Sequence, residues 1–188
     1  MNKSDVLKCY EAGDFFKNAD LVGIDLSHIK LAKADFSEAN LQFAEFNGTD
    51  LSESNFNYAD LSNADLSGAI LRNAFLVGAN LTNANLEQTD LRGAFLGGST
   101  LCSTNFRDAD LKGAIIGSPN WIVPDAFSPY TDFEGANLEG TIFGETTPKG
   151  VSMLGAKFTS AYLYEVNFSE SVYYPQQLEE AIINKIVR

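Results

Sequence analysis

The sequence predicts an all-β solenoid, and three observations carry that expectation. A large apolar residue recurs every five positions from Phe16 to Trp121, 22 in succession. Two residues before each stands a small one. Of the 21 positions from Ala19 to Pro119, 13 are Ala and five are Ser or Thr. The residue just before the large one is usually Asp or Asn, as at Asp20, Asp25, Asp35, Asn40, Asp50, Asn55, Asp60, Asp65, Asn80 and Asn85. A helix repeats every 3.6 residues and a strand every 2, so a period of five fits neither. It needs a chain that turns a corner in every pentad, sending one large and one small side chain inward and three positions outward. Small residues in the second inward series let the backbone close around a narrow core.

The pentads match A(D/N)LXX, for example ADLVG at 19–23, ADFSE at 34–38, ANLQF at 39–43, ADLSN at 59–63, ANLTN at 79–83, ADLKG at 109–113 and ANLEG at 136–140. The sequence therefore resembles the pentapeptide-repeat family over about residues 14–173, and its regular, Ala-rich pattern resembles cyanobacterial-type members. The resemblance implies a right-handed quadrilateral parallel β-helix with four pentads, or twenty residues, per coil. It also implies a protein without assigned chemistry.

The interruptions and ends are read in turn. From Trp121 to Phe133 the step is 12, and Pro124 and Pro129 lie between. Proline lacks the N–H that a ladder needs, so 122–131 reads as a loop bulging from one coil. Residues 144–155 read as irregular pentads or a second loop, because Phe143 and Phe158 keep the phase. Residues 1–13 read as a capping helix, with Ser4 or Asp5 as N-cap and Gly13 just past its end. Residues 175–188 read as a C-terminal capping helix, opened by Pro175, with Leu178, Ile182 and Ile186 on one face.

Composition bounds the function. The chain has 188 residues, 25 acidic against 13 basic, and a net charge of −12. That balance argues against direct nucleic-acid binding and against anionic lipid surfaces. No apolar run is long enough to span a membrane and no signal peptide is read, so the expectation is a cytoplasmic protein. Two cysteines, Cys9 and Cys102, and one histidine, His28, offer no metal-site spacing. The Asp residues recur at a solvent-side position and alternate with Asn, which does no acid–base work. They read as turn residues rather than catalytic carboxylates. No catalytic residue, metal site or cofactor is expected.

At a spacing of twenty, Phe15, Asp35, Asn55, Phe75, Phe95 and Ile115 share one outward column, and the last three replace Asp or Asn by apolar residues. Arg72, Arg92 and Lys112 share another, around the adjoining corner, with Ile70 nearby. Residues 71–120 carry no net charge, whereas 1–70 carry −7 and 121–188 carry −5. Arg and aromatic residues are the types enriched in interface cores. These six residues are the expected interaction face, against packing of the aromatic rings within their own column. The expected function is a non-enzymatic scaffold that binds another protein, as a monomer or weak dimer. The alternative, implied by resemblance to quinolone-resistance relatives, is a DNA-mimicking protein that binds gyrase.

Overall fold

The computed structural model describes residues 1–13, 16–116, 131–144, 162–164 and 182–185. From Phe16 to Ile116 one local conformation repeats. The pentad around Leu61 accounts for all five of its N–H groups. The Ala59 N–H donates to Phe56 O at 3.0 Å and closes the corner. The Asp60 N–H reaches back one coil to Ala39 O at 2.9 Å, and the Leu61 N–H reaches forward to Asn80 O at 2.8 Å. The Asn63 N–H donates to Thr82 O at 2.9 Å. The remaining N–H, of Ser62, donates to the Asp60 carboxylate at 3.0 Å. Buried backbone donors must be paired, and the recurring Asp or Asn supplies the acceptor that the backbone does not. Each corner carries a positive φ at its second central residue, 58° at Asn18 and 61° at Asn63, the pattern of a type II turn.

Successive coils pair in parallel through one residue per pentad: Asp20 with Asn40, Asn40 with Asp60, Asp60 with Asn80, and Asn80 with Thr100. In this column Asp and Asn alternate, so no two carboxylates stack at the inter-strand spacing of about 4.8 Å, whereas Asp25, Glu45 and Asp65 pair in succession in another. The amides use that spacing, with Asn80 Nδ2 donating to Asp60 Oδ1 at 3.0 Å. Burial pushes the Asp60 carboxyl up, but hydrogen bonds from Ser62, Gln42 and Asn80 outweigh it and hold it below its ordinary value. Inside, every Leu or Phe of the series from Phe16 to Leu111 is buried, and so are most of the small residues. Phe16, Phe36 and Phe56 stack at centroid separations of 5.0 and 5.1 Å. The inward hydroxyls are paired too, as in Thr49 Oγ1 to Leu26 O at 2.6 Å and Thr104 Oγ1 to Leu81 O at 2.8 Å.

The expectation of an all-β solenoid, a right-handed quadrilateral parallel β-helix closed by two helices, is overturned here. The coils from Phe16 to Ile116 contain no strand, only single-residue pairings separated by turns. A corner in every pentad consumes two residues in a turn, so no extended run grows long enough to become a strand. Among the described residues strands occur only later, as β1 (Ile142–Gly144), β2 (Tyr162–Tyr164) and β3 (Ile182–Lys185), paired in parallel in that order. β3 lies inside the segment expected to be a C-terminal helix. Its run Ile182-Ile183 is β-branched, and β2, paired with β1 on one side, offers a ladder on the other: Tyr162 pairs with Ile182 and Leu163 with Ile183. The rest of that segment, most of the 122–131 loop, most of 144–155 and Phe15 lie outside the described residues. The pairing offset does widen from twenty residues to twenty-seven between Ile115 and Ile142, and returns to twenty from Ile142 to Tyr162.

One helix is present among the described residues, α1 (Lys3–Ala12). Its N-cap is Asn2, not Ser4 or Asp5. The Asn2 side chain accepts from the Asp5 N–H at 3.1 Å, and the Asp5 carboxylate accepts from the Asn2 N–H at 3.2 Å. Gly13, at φ 79°, ends the helix. Val6 is buried in the core, while Tyr10 Oη donates to Ala32 O at 2.8 Å and Lys3 Nζ to Ser27 O at 2.6 Å. Hydrogen bonds from the Ser27 hydroxyl and N–H, with the Lys3 charge beside them, lower the Asp25 carboxyl to about 2. Its folded pKa lies below the unfolded value, so its contribution is complete above about pH 4 and is lost as pH falls through about 2. Ser27→Ala removes the largest of these causes. In an NMR titration Asp25 should then move back toward the ordinary carboxylate range, and an unchanged midpoint would contradict this assignment.

Candidate protein-interaction face

Backbone pairing places Asp35, Asn55, Phe75, Phe95 and Ile115 in one column. The column continues beyond the sequence expectation. Ile115 pairs with Ile142, Ile142 with Tyr162, and Tyr162 with Ile182. Polar residues at the start of the column thus give way to apolar residues at every described register position from Phe75 onward. The sequence spacing concealed this, because the extra seven residues before Ile142 shift it out of a count by twenties.

Phe75 is 42% exposed, whereas Phe95, Ile115 and Ile142 are half-buried. The Phe75 and Phe95 rings stack at 5.1 Å with an interplanar angle of 5°. Neighbouring columns join their coils by amide bonds, such as Asn85 Nδ2 to Asp65 Oδ1 at 3.2 Å. Ring stacking takes that place here. The aromatic pair also removes an acceptor from its corners. The Val77 N–H, with no Asp or Asn at position 75, donates instead to Asn57 Oδ1 of the preceding coil at 2.9 Å.

Tyr58 adds an aromatic that the sequence reading passed over. It is 58% exposed and holds φ 60°, unusual for a bulky residue. A Cβ on Gly78 would approach the Tyr58 ring to 2.6 Å, so the ring needs glycine in the coil above. The signal was available: a large aromatic at a corner position that elsewhere holds mostly Gly, Asn or other polar residues.

Arg72, Arg92 and Lys112 are not a free basic ladder. Arg72 Nε donates to Asp90 Oδ2 at 2.6 Å, and Arg92 Nε and Nη2 donate to Asp90 Oδ1 and Oδ2 at 2.8 Å each. Arg92 also lies 3.6 Å from Asp110, and Lys112 lies 3.0 Å from Glu139. Burial pushes the Asp90 carboxyl up, but bonds from Arg92 and Arg72 outweigh it and keep it low. All three cations are thus engaged in local ion pairs. Arg72→Glu with Arg92→Glu would put two more carboxylates beside Asp90. Recovery of a partner on this face should fall at low salt and return as ionic strength rises. A loss that ignores salt would mean shape, not charge, is read at this corner.

Among the described residues, no group of three or more His, Cys, Asp or Glu is placed to hold a metal ion, and no helix is long and apolar enough to cross a membrane.

A stack of pentad coils with its Asp and Asn side chains spent on turns defines a repeat protein, non-catalytic in class. The pentapeptide-repeat profile matches residues 19–57, 59–98, 79–116 and 131–170, in eight copies, and the chain belongs to the pentapeptide-repeat family. Similar solved structures include Rfr23 from the cyanobacterium Cyanothece 51142, at 24% identity and TM-score 0.50, covering 91% of this chain and 99% of that one. They also include HetL, involved in heterocyst differentiation regulation in the cyanobacterium Nostoc sp. strain PCC 7120, at 27% identity and TM-score 0.37, covering 99% and 94%. QnrB1, a plasmid-mediated fluoroquinolone resistance protein, matches at 18% identity and TM-score 0.43, covering 86% of each chain. No curated protein matches the chain. Family membership supports a non-catalytic, protein-interacting role in general.

Proposed function

We propose that the chain is a cytoplasmic, non-enzymatic scaffold that docks another protein on the column of Phe75, Phe95 and Ile115. Arg72, Arg92 and Lys112 edge this face. The observation that carries the reading is the stacked Phe75–Phe95 pair, Phe75 exposed and Phe95 half-buried, at positions where the repeat usually puts Asp or Asn. Those positions build no core, and an aromatic there costs the corner its usual acceptor. Exposed apolar ladders of this kind mark partner sites. The test is recovery of partners from a native lysate by wild type and by the Phe75→Asn, Phe95→Asn variant. Identical recovery would reduce the column to packing within the stack. The gyrase alternative rests on the acidic charge and on resemblance to quinolone-resistance relatives, and purified gyrase in a supercoiling assay separates it: inhibition that survives loss of both Phe residues would favour it.

A further inference from the structure

Corner residues at positive φ are mostly Gly, Asn or another polar type, because a large side chain is strained there. Two of them carry a benzene ring, Phe43 at φ 58° and Tyr58 at φ 60°. Tyr58 differs from Phe43 in having neighbours that fit it. It stands between Glu38 and Gly78 in one corner column, since the Glu38 N–H donates to Asn57 O and the Tyr58 N–H to Val77 O, at 2.9 Å each. Glycine at 78 leaves space for the ring, where a Cβ would come within 2.6 Å of it. Phe75 lies on the same coil as Gly78, and Asn57 supplies the acceptor that Phe75 denies to the Val77 N–H. Asn57 thus serves Phe75, and Gly78 serves Tyr58. Yet the Tyr58 ring is 58% exposed and builds no core. A backbone outlier that its surroundings maintain points to a function.

We propose that Tyr58 is a second anchor of the docking face and takes an arginine side chain of the partner protein, stacked on its ring, while Phe75 takes an apolar neighbour of that arginine. This rests on the docking reading above and names the partner's chemistry. Charge selects the occupant. Tyr58 lies in the segment 1–70, which carries −7. Glu38, one coil before it, is held by Lys17 in an exposed ion pair at 3.1 Å. Such a pair is worth little and exchanges readily for another cation. Asp60, two residues beyond Tyr58, is already committed, accepting from Ser62, Gln42 and Asn80. An aromatic ring attracts a cation, and a guanidinium lies flat on it while its N–H groups reach a carboxylate. A second copy of the chain is a poor source of that group, because Arg72, Arg92 and Arg107 are each engaged by carboxylates of their own chain.

The probe is a synthetic peptide of two leucines followed by an arginine, blocked at both ends, titrated into isotope-labelled protein and followed by NMR. The Tyr58 and Val77 amides should shift. A matched peptide with citrulline, the neutral isostere of arginine, should bind about two- to fivefold more weakly. Tyr58→Phe keeps the ring in a corner conformation that Phe43 also holds, and should bind as wild type. Tyr58→Asn should bind about tenfold more weakly, yet with a urea midpoint at or above that of wild type, because Asn is at ease at positive φ. Equal binding of the citrulline peptide, equal binding by Tyr58→Asn, loss in Tyr58→Phe, a lowered urea midpoint in Tyr58→Asn, absence of binding at millimolar peptide, or a dimer by sedimentation that dissolves in Tyr58→Asn would each overturn the proposal. Phe75→Asn with Phe95→Asn separates the two levels. If that variant loses the peptide while Tyr58→Asn keeps it, only the Tyr58 role falls; if it keeps the peptide, the docking reading falls.

Discussion

Leu81→Asp should unfold the protein. Leu81 is fully buried, and its main chain is committed on both sides: its N–H donates to Thr100 O at 2.8 Å, and its carbonyl accepts from the Ala84 N–H at 2.9 Å and from Thr104 Oγ1 at 2.8 Å. A carboxylate there has no cation and no spare donor, and stacked leucine and alanine surround it. Burying it charged costs several kcal/mol, and burying it protonated still strands a polar group. Against a total stability of about 5–15 kcal/mol, that loss together with the vacated leucine volume is decisive. The adjacent residue gives the contrast. Asn80 accepts from the Thr82 N–H and hydroxyl at 3.1 and 2.7 Å and donates to Asp60 at 3.0 Å. Asn80→Ala gives up those bonds where water can replace them, at about 1 kcal/mol. Urea midpoints of the two variants decide the matter, and comparable values would contradict the inward and outward assignment.

Phe75→Asn with Phe95→Asn should abolish partner binding and leave the fold intact. Asn restores the acceptor that the repeat uses elsewhere, as where Asn105 Oδ1 accepts from the Arg107 N–H at 3.0 Å. What is lost is one stacked pair outside the core, so the stability change should stay below about 1–2 kcal/mol. Truncating aromatic residues at the centre of an interface costs about 2 kcal/mol or more in binding, a thirtyfold weakening or greater. A normal urea midpoint with lost partner recovery is the expected pair of results.

The inward series was legible because packing leaves it little freedom: a Leu or Phe every fifth residue with Ala two places before it has one way to be buried. Strand content was not legible, because the same period dictates corners, and corners decide whether paired residues lengthen into strands. The C-terminal segment misled for a related reason. Leu178, Ile182 and Ile186 fit a helical face, yet Ile182 and Ile183 pair with β2, and an unpaired ladder outweighs a weak periodic preference. At the other end, Asn2 took the cap from Ser4 and Asp5 because Asp5 closes the capping box from inside the helix. On the face itself, Phe75, Phe95 and Ile115 were visible as exceptions to Asp and Asn. Ile142 was hidden by the shift in offset, and the pairing of Arg72, Arg92 and Lys112 by its dependence on rotamers.

The claim that one face of this stack is the docking face is tested most directly by site-specific photo-crosslinking in a native lysate, with a photoreactive phenylalanine in place of Phe95 or, on the neighbouring column, of Asn80. Both positions face outward in the same coil or the next, so reach and folding are matched. The account predicts a discrete crosslinked partner from position 95 and none from position 80. A partner captured from position 80 and not from position 95 would contradict it.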